Sequence, residues 1–165
     1  MGIKYTSDVF QISASVVETV VNTPATTTIN LNLDSLSREV LVVQYVDIDV
    51  SIGDLVPGVR TQMNCSLTNT DIGVQGISNP QTIATANHTI ESTGLGEVVS
   101  FSNAEPRYAN MQDGALFVSG TDNLFLSVVG SNNAATLIRG QVRIYARRAQ
   151  ATADTYAAIL TSQFS

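Results

Sequence analysis

Residues Thr136 to Arg148 read T-L-I-R-G-Q-V-R-I-Y-A-R-R, and small or aliphatic residues alternate with polar ones along this stretch. A β-strand sends successive side chains to opposite faces, so the stretch predicts a strand with one apolar and one basic face. The apolar face comprises Ile138, Gly140, Val142, Ile144 and Ala146. The opposite face comprises Arg139, Gln141, Arg143, Tyr145 and Arg147. With Arg148 added, four of the eight basic residues of the chain lie in this one predicted strand.

The rest of the chain contains further segments of strand length, which Gly, Pro, Asn and Asp residues separate. These segments are 8–21, 26–33, 39–52, 59–67, 81–90, 97–101, 115–119 and 123–129. Eight or nine strands without βαβ alternation predict an all-β fold, an antiparallel β-sandwich. A jelly roll is the preferred topology because the strand count and loop lengths fit it. An immunoglobulin-like sandwich is the second choice, since the chain lacks both Trp and a Cys pair.

The longest of these segments, 39–52, reads E-V-L-V-V-Q-Y-V-D-I-D-V-S-I. Strict alternation assigns one face to Val42, Val46, Ile48, Val50 and Ile52, with Gln44 as the exception. The opposite face begins with apolar residues and ends with Asp47 and Asp49. We therefore expect a central strand that is covered at one end and exposed to water at the other.

Two short helical segments are predicted. Pro106 and Gly114 bracket a possible helical turn, and the residues between them include a local cluster of Arg107, Tyr108, Asn110 and Gln112. At the C-terminus the spacing of Tyr156, Ile159, Leu160 and Phe164 predicts one apolar helix face, with Asp154 or Thr152 as the N-cap. So short a helix must dock to be stable. We expect a single domain over 1–165, with 148–165 as a docking helical tail.

Composition narrows the function classes. Only 13% of the residues are charged and the net charge is −6, which argues against a general nucleic-acid-binding protein. No apolar run has the length of a membrane span, and the N-terminus does not resemble a secretory signal peptide. The single cysteine, Cys65, excludes an internal disulfide. Together these features predict a chain made in a reducing compartment.

Residues for catalysis or metal binding are sparse. The chain has one histidine, His88, and it contains no G-x-S-x-G, C-x-x-C or H-E-x-x-H motif. Asp47 and Asp49 share a strand face and Asp54 follows, which makes them candidate calcium ligands, but the EF-hand spacing is absent and a solvated or salt-bridged acidic patch is the preferred interpretation. We therefore predict no enzymatic activity and no cofactor.

Three interpretations of the arginine face compete. The arginines pair with a carboxylate face such as Asp47 and Asp49, within the subunit or across a contact, because Arg forms bidentate pairs and is enriched in interfaces. Alternatively they are solvent-facing charges that keep an exposed strand from pairing with other chains. In the third interpretation they bind the phosphates of a nucleic acid, with Tyr145 stacking on a base.

The function predicted from these observations is that of a non-enzymatic structural protein that self-assembles into a shell or fibre. At the level of fold, the layout resembles single-jelly-roll virion proteins. The alternative is a β-sandwich binding module for a glycan or a protein; the tyrosines look scattered in sequence, which weakens the glycan case. The expected partners are copies of the chain itself and other assembly subunits. The candidate interface residues are Arg139, Arg143, Tyr145, Arg147, Arg148, Asp47, Asp49, Tyr156, Ile159, Leu160 and Phe164.

Overall fold

A computed structural model describes residues 2–103, 107–108 and 114–164, and in these ranges it contains eleven strands and one helix. The first strands are β1 (Ile3–Tyr5), β2 (Phe10–Val17), β3 (Ala25–Asn30), β4 (Glu39–Val50), β5 (Arg60–Thr68) and β6 (Thr82–Ser92). They are followed by β7 (Val98–Asn103), β8 (Arg107–Tyr108), β9 (Phe117–Ser119), β10 (Asn123–Ser131) and β11 (Arg139–Ala151). The helix α1 spans Ala153–Phe164.

The strands form two antiparallel sheets. In the six-stranded sheet, β11 lies at the centre and pairs with β4 on one side and with β2 and β1 on the other. The far edge of β4 pairs with β8 and β9. The five-stranded sheet has the order β3-β10-β5-β6-β7. The prediction of an antiparallel β-sandwich with a short C-terminal helix is confirmed.

The main core lies between the two sheets. The apolar face of β11 supplies Val142, Ile144 and Ala146, and Ile138 lies directly before the strand; all four are buried, as the alternation in the sequence predicts. Large buried side chains of the five-stranded sheet, such as Met63, pack in the same core. Burying an aliphatic side chain of this size contributes about 1.5–3 kcal/mol, so this face holds the sheets together.

The prediction for the two faces of β4 was wrong in part. The β11–β4 register runs from Tyr145 opposite Tyr45 to Ala146 opposite Val43, so Gln44 is an extra residue in β4. Such a β-bulge inverts the alternation of side chains beyond it. Val42 therefore lies on the opposite face from Val46, while Leu41 and Val43 join the main core.

A second, smaller core lies on the outer side of the six-stranded sheet, and α1 covers it. Its buried members are Val40, Val42, Ala149 and Ala151, and Ile3, Tyr5, Val118, Tyr156 and Ile159 pack against them. The C-terminal tail, which was predicted to dock, thus packs against the six-stranded sheet of its own chain. Strand β11 continues to Ala151 rather than ending at Arg148. Helix α1 begins directly after Thr152, and the carbonyl of Thr152 accepts a hydrogen bond from Tyr156 N at 2.8 Å.

The predicted helical turn between Pro106 and Gly114 is wrong at the two residues for which it can be checked. Arg107 and Tyr108 form β8, with Tyr108 opposite Tyr45 in register. The other residues of that stretch, Asn110 and Gln112 among them, lie outside the described residues. Strands β1 and β8 are three and two residues long, too short to show a periodicity in the sequence.

Candidate interaction surface

Strand register arranges polar and aromatic side chains in three rows on the outer side of the six-stranded sheet. The rows are Tyr45–Tyr145–Gln11, Asp47–Arg143–Ser13 and Asp49–Gln141–Ser15. We call these residues the polar face. The residues of the second and third rows line a shallow depression of about 630 Å³. Arg139 lies one row further along β11, opposite Val17.

The charges of the polar face form no ion pair within the described ranges, although Asp47 and Arg143 are direct cross-strand neighbours. The ion pairs that these ranges do contain are Arg60–Glu91 at 3.1 Å and Arg148–Glu39 at 2.7 Å. Asp49 Oδ1 accepts a hydrogen bond from Val50 N at 2.8 Å. Asp47 and Asp49 thus form an acidic column on β4. It lies beside a basic column of Arg139 and Arg143 on β11, and both columns remain accessible to a partner.

Two other arginines of the same strand bind groups of their own chain. Arg148 donates to Glu39 Oε2 at 2.7 Å and to the carbonyl oxygen of Leu31 at 2.8 Å. The guanidinium of Arg147 lies 4.3 Å from the ring centroid of Tyr5, which is a cation–π geometry. Both side chains are half-buried, in contrast to Arg139 and Arg143.

Tyr45 and Tyr145 are 100 positions apart in sequence but meet on the polar face. Their ring centroids are 5.4 Å apart and the ring planes are inclined at 72°, an edge-to-face contact. The view that the tyrosines are scattered is therefore wrong for this pair, because antiparallel pairing of β4 and β11 places them directly opposite each other.

The helix residues expected at an interface divide into two groups. Tyr156 and Ile159 pack on the smaller core, and Ile159 and Leu160 both approach Gly120. Phe164 is 77% exposed and so does not share their buried face. The buried residue at this end is Gln163, which bonds both Gly120 N and the Val118 carbonyl. The apolar pattern could not reveal it, because Gln163 is polar.

Of the residues considered for metal binding or catalysis, Asp47 and Asp49 share the polar face, but neither Asp54 nor His88 forms a metal-binding group with them. No three His, Cys, Asp or Glu side chains cluster in metal-binding geometry in the described part of the chain. Asp54 instead accepts hydrogen bonds from Ala135 N and Thr136 N, both at 2.8 Å. His88 Nε2 lies 2.8 Å from Ser100 Oγ. The helix in the described part of the chain, α1, lacks the length and apolarity needed to cross a membrane.

Comparisons with known proteins add little to this description. No family model matches the sequence, and no curated protein matches it. Among solved structures, a chain from Desmodium yellow mottle tymovirus is similar, with 8% identity and a TM-score of 0.30. The match covers 88% of this chain and 90% of that one. A likeness at this TM-score supports no argument about function.

Proposed function

We propose that this chain is a non-enzymatic structural protein that assembles with copies of itself into a shell of the virion-capsid type. The strand order supports a jelly-roll topology. Four strands of one sheet run β2-β11-β4-β9 and four of the other run β3-β10-β5-β6, with the chain crossing between the sheets repeatedly. Two packed sheets of four strands each are typical of the jelly rolls of capsid and lectin domains, which supports the proposal.

The observation that carries the proposal is the pair of charged columns on the polar face. Asp47 and Asp49 lie beside Arg139 and Arg143, and none of the four forms an ion pair within the described chain. Acidic groups of one copy can therefore pair with basic groups of the next. Complementary charge of this kind fixes partner choice and orientation and speeds association.

The low overall charge supports the same proposal. Charged residues make up only 13% of the chain, so a small number of them determine the electrostatics of its surface. Arg148 is engaged with Glu39 and Arg60 with Glu91. The polar face thus brings two acidic and two basic side chains together on adjacent strands, and none of these four is engaged in an ion pair within the described ranges.

The experiment is a mass measurement in solution, by mass photometry or light scattering, at micromolar concentration and over a range of salt. We expect the wild-type chain to assemble, and the variant Arg139→Ala/Arg143→Ala to dissociate at lower salt. Arg60→Ala is the control because it removes one positive charge from the other sheet, where the double variant removes two from the polar face. A wild-type chain that stays monomeric contradicts the proposal, and equal losses in both variants contradict the role of the polar face.

A charge exchange sharpens this test. Asp47→Arg/Asp49→Arg makes the polar face entirely basic, and Arg139→Asp/Arg143→Asp makes it entirely acidic. Each variant alone should fail to assemble because like charges would meet. The two mixed together should assemble again if these columns pair between copies.

A second candidate function is that of a glycan-binding module, and the Tyr45–Tyr145 pair favours it. The two half-exposed rings lie beside Asp47 and Arg143, so an aromatic surface adjoins hydrogen-bonding groups. Sugars offer C–H faces that stack on rings and hydroxyls that such groups bind. Screening of the monomeric chain on a glycan array tests this, with Tyr145→Ala as the binding-deficient variant.

A further inference from the structure

Strand β7 lies at one edge of the five-stranded sheet. One side of it pairs with β6, and none of the strands in the described ranges pairs with the other side. All six residues of β7 are exposed, with Val99 at 50% and Phe101 at 56%. Proteins usually protect such an edge with charged residues, proline or a bulge, and the sequence V-V-S-F-S-N has no charge and no proline.

The hairpin between β6 and β7 determines which backbone groups point outwards. Thr93 N donates to the Glu97 carbonyl at 3.3 Å, so these two residues form a hydrogen-bonded pair at the end of the ladder. Hydrogen-bonded and non-hydrogen-bonded pairs alternate along an antiparallel ladder. Val99 and Phe101, opposite Glu91 and Thr89, therefore direct their N–H and C=O groups towards β6. The corresponding groups of Val98, Ser100 and Ser102 point to the open side.

We propose that two copies of this chain join through β7 in antiparallel orientation about a two-fold axis, which merges two five-stranded sheets into one of ten strands. The proposal rests on the proposed function, since it names one contact of that assembly. In the register that uses all outward-facing groups, Ser100 pairs with Ser100 of the second copy. Val98 pairs with Ser102 of the second copy, and Ser102 with its Val98.

The same register is favourable for the side chains. It places Val99 opposite Phe101 of the second copy, and Phe101 opposite its Val99, at non-hydrogen-bonded positions. There the Cα atoms of paired residues approach to about 4.5 Å, closer than in hydrogen-bonded pairs. The four exposed apolar side chains would thus cover one another on one face of the joined sheet. In an alternative symmetric register, each strand is shifted by one residue so that Phe101 lies opposite Phe101 of the second copy. Of the three outward-facing residues, only Ser100 and Ser102 would then have hydrogen-bonded partners within β7.

A second copy is the occupant because the edge is complementary to itself. A β7 strand presents the same three outward-facing residues and the same two apolar side chains to its own symmetry mate. The interface lies on the five-stranded sheet and the polar face lies on the six-stranded sheet. Loss of one contact can therefore be distinguished experimentally from loss of the other.

The test uses Ser100→Pro, which removes an N–H from the open side of β7. Proline is tolerated in an edge strand where its N–H would face away from the ladder, so pairing with β6 should persist. Ser100→Ala is the matched control, because it removes the hydroxyl that contacts His88 but keeps the N–H. We expect Ser100→Ala to associate like the wild type and Ser100→Pro to weaken association at least tenfold, measured by sedimentation velocity.

Hydrogen exchange provides an independent measurement. In the assembled wild-type chain the amides of Val98, Ser100 and Ser102 should exchange slowly. In Phe101→Lys the same amides should exchange fast, because the variant keeps the backbone N–H groups but places a charged side chain opposite Val99 of the second copy. Arg139→Ala/Arg143→Ala should keep this protection, because it alters only the other sheet. An assembled wild type whose three amides exchange fast would overturn the β7 contact and leave the proposed function standing. A monomeric wild type would overturn both.

Discussion

Gly140 in β11 lies directly against Cys65 in β5, and the two residues belong to opposite sheets. A Cβ atom at position 140 would come within 2.5 Å of Cys65 Sγ and 3.4 Å of Val128 Cβ. Burial, and secondarily the charge of Asp49, raises the pKa of the Cys65 thiol to about 12. The thiol is therefore neutral at physiological pH and acts as a packing group that sets the sheet spacing at this point.

Gly140→Ala should destabilise the fold by about 1–3 kcal/mol, the usual cost of inserting a methyl group into a packed core. Urea unfolding measures the loss. Adding Cys65→Ala should recover part of it, since this removes the atom that a new Cβ would meet. Gly76→Ala is the control, because the nearest atom to a Cβ there is 4.0 Å away. Equal unfolding midpoints for the two single variants would contradict this account.

Glu18→Gln should destabilise the chain because both carboxylate oxygens of Glu18 are used in the interior. The residue is 1% exposed, and it accepts hydrogen bonds from Gly130 N at 2.7 Å and Ile138 N at 2.9 Å. An amide can accept only one of these bonds and leaves the other buried N–H without an acceptor. The expected loss is about 1–3 kcal/mol in thermal or urea unfolding. Glu97→Gln, at an exposed carboxylate, should change little.

Gln163→Glu should loosen the attachment of α1. The Gln163 side chain donates to the Val118 carbonyl at 2.5 Å and accepts from Gly120 N at 3.1 Å, so it continues the hydrogen bonding of β9. Glutamate keeps the acceptor but loses the donor, and its charge faces a carbonyl oxygen. Hydrogen exchange in α1 should accelerate. Phe164→Ala, in an exposed position, should leave exchange unchanged.

Asp54 should contribute to the acid sensitivity of the fold. Hydrogen bonds from Ala135 N, the Thr136 hydroxyl and Thr136 N lower its pKa from 3.8 to about 2. A carboxyl whose pKa is lower in the folded state stabilises the fold above its unfolded pKa. That stabilisation is lost as the pH falls from about 4 towards about 2. Asp54→Asn should thus be less stable than wild type at pH 7, and the difference should shrink below pH 4. A difference independent of pH would contradict this.

The residue pattern within each segment was sufficient to predict the β-sandwich and most of its strands. The alternation around Val142 and Ile144 predicts a buried face of β11, and that face is buried. The spacing of Tyr156 and Ile159 predicts a docking helix, and both side chains pack on the smaller core. These predictions succeed because side-chain periodicity and the burial of apolar groups depend on the residues of a single segment.

The remaining features of the fold and of the polar face depend on pairing between segments that are distant in sequence. The bulge at Gln44 exchanges the faces of β4, and no alternation within 39–52 reveals where the extra residue lies. Register between β4 and β11 brings Tyr45 to Tyr145, and the packing of α1 against β9 buries Gln163. The amino-acid sequence by itself thus determined which segments become strands and which of their faces is apolar. Only the tertiary structure decided which polar groups meet, because cross-strand and helix–sheet contacts depend on register and packing.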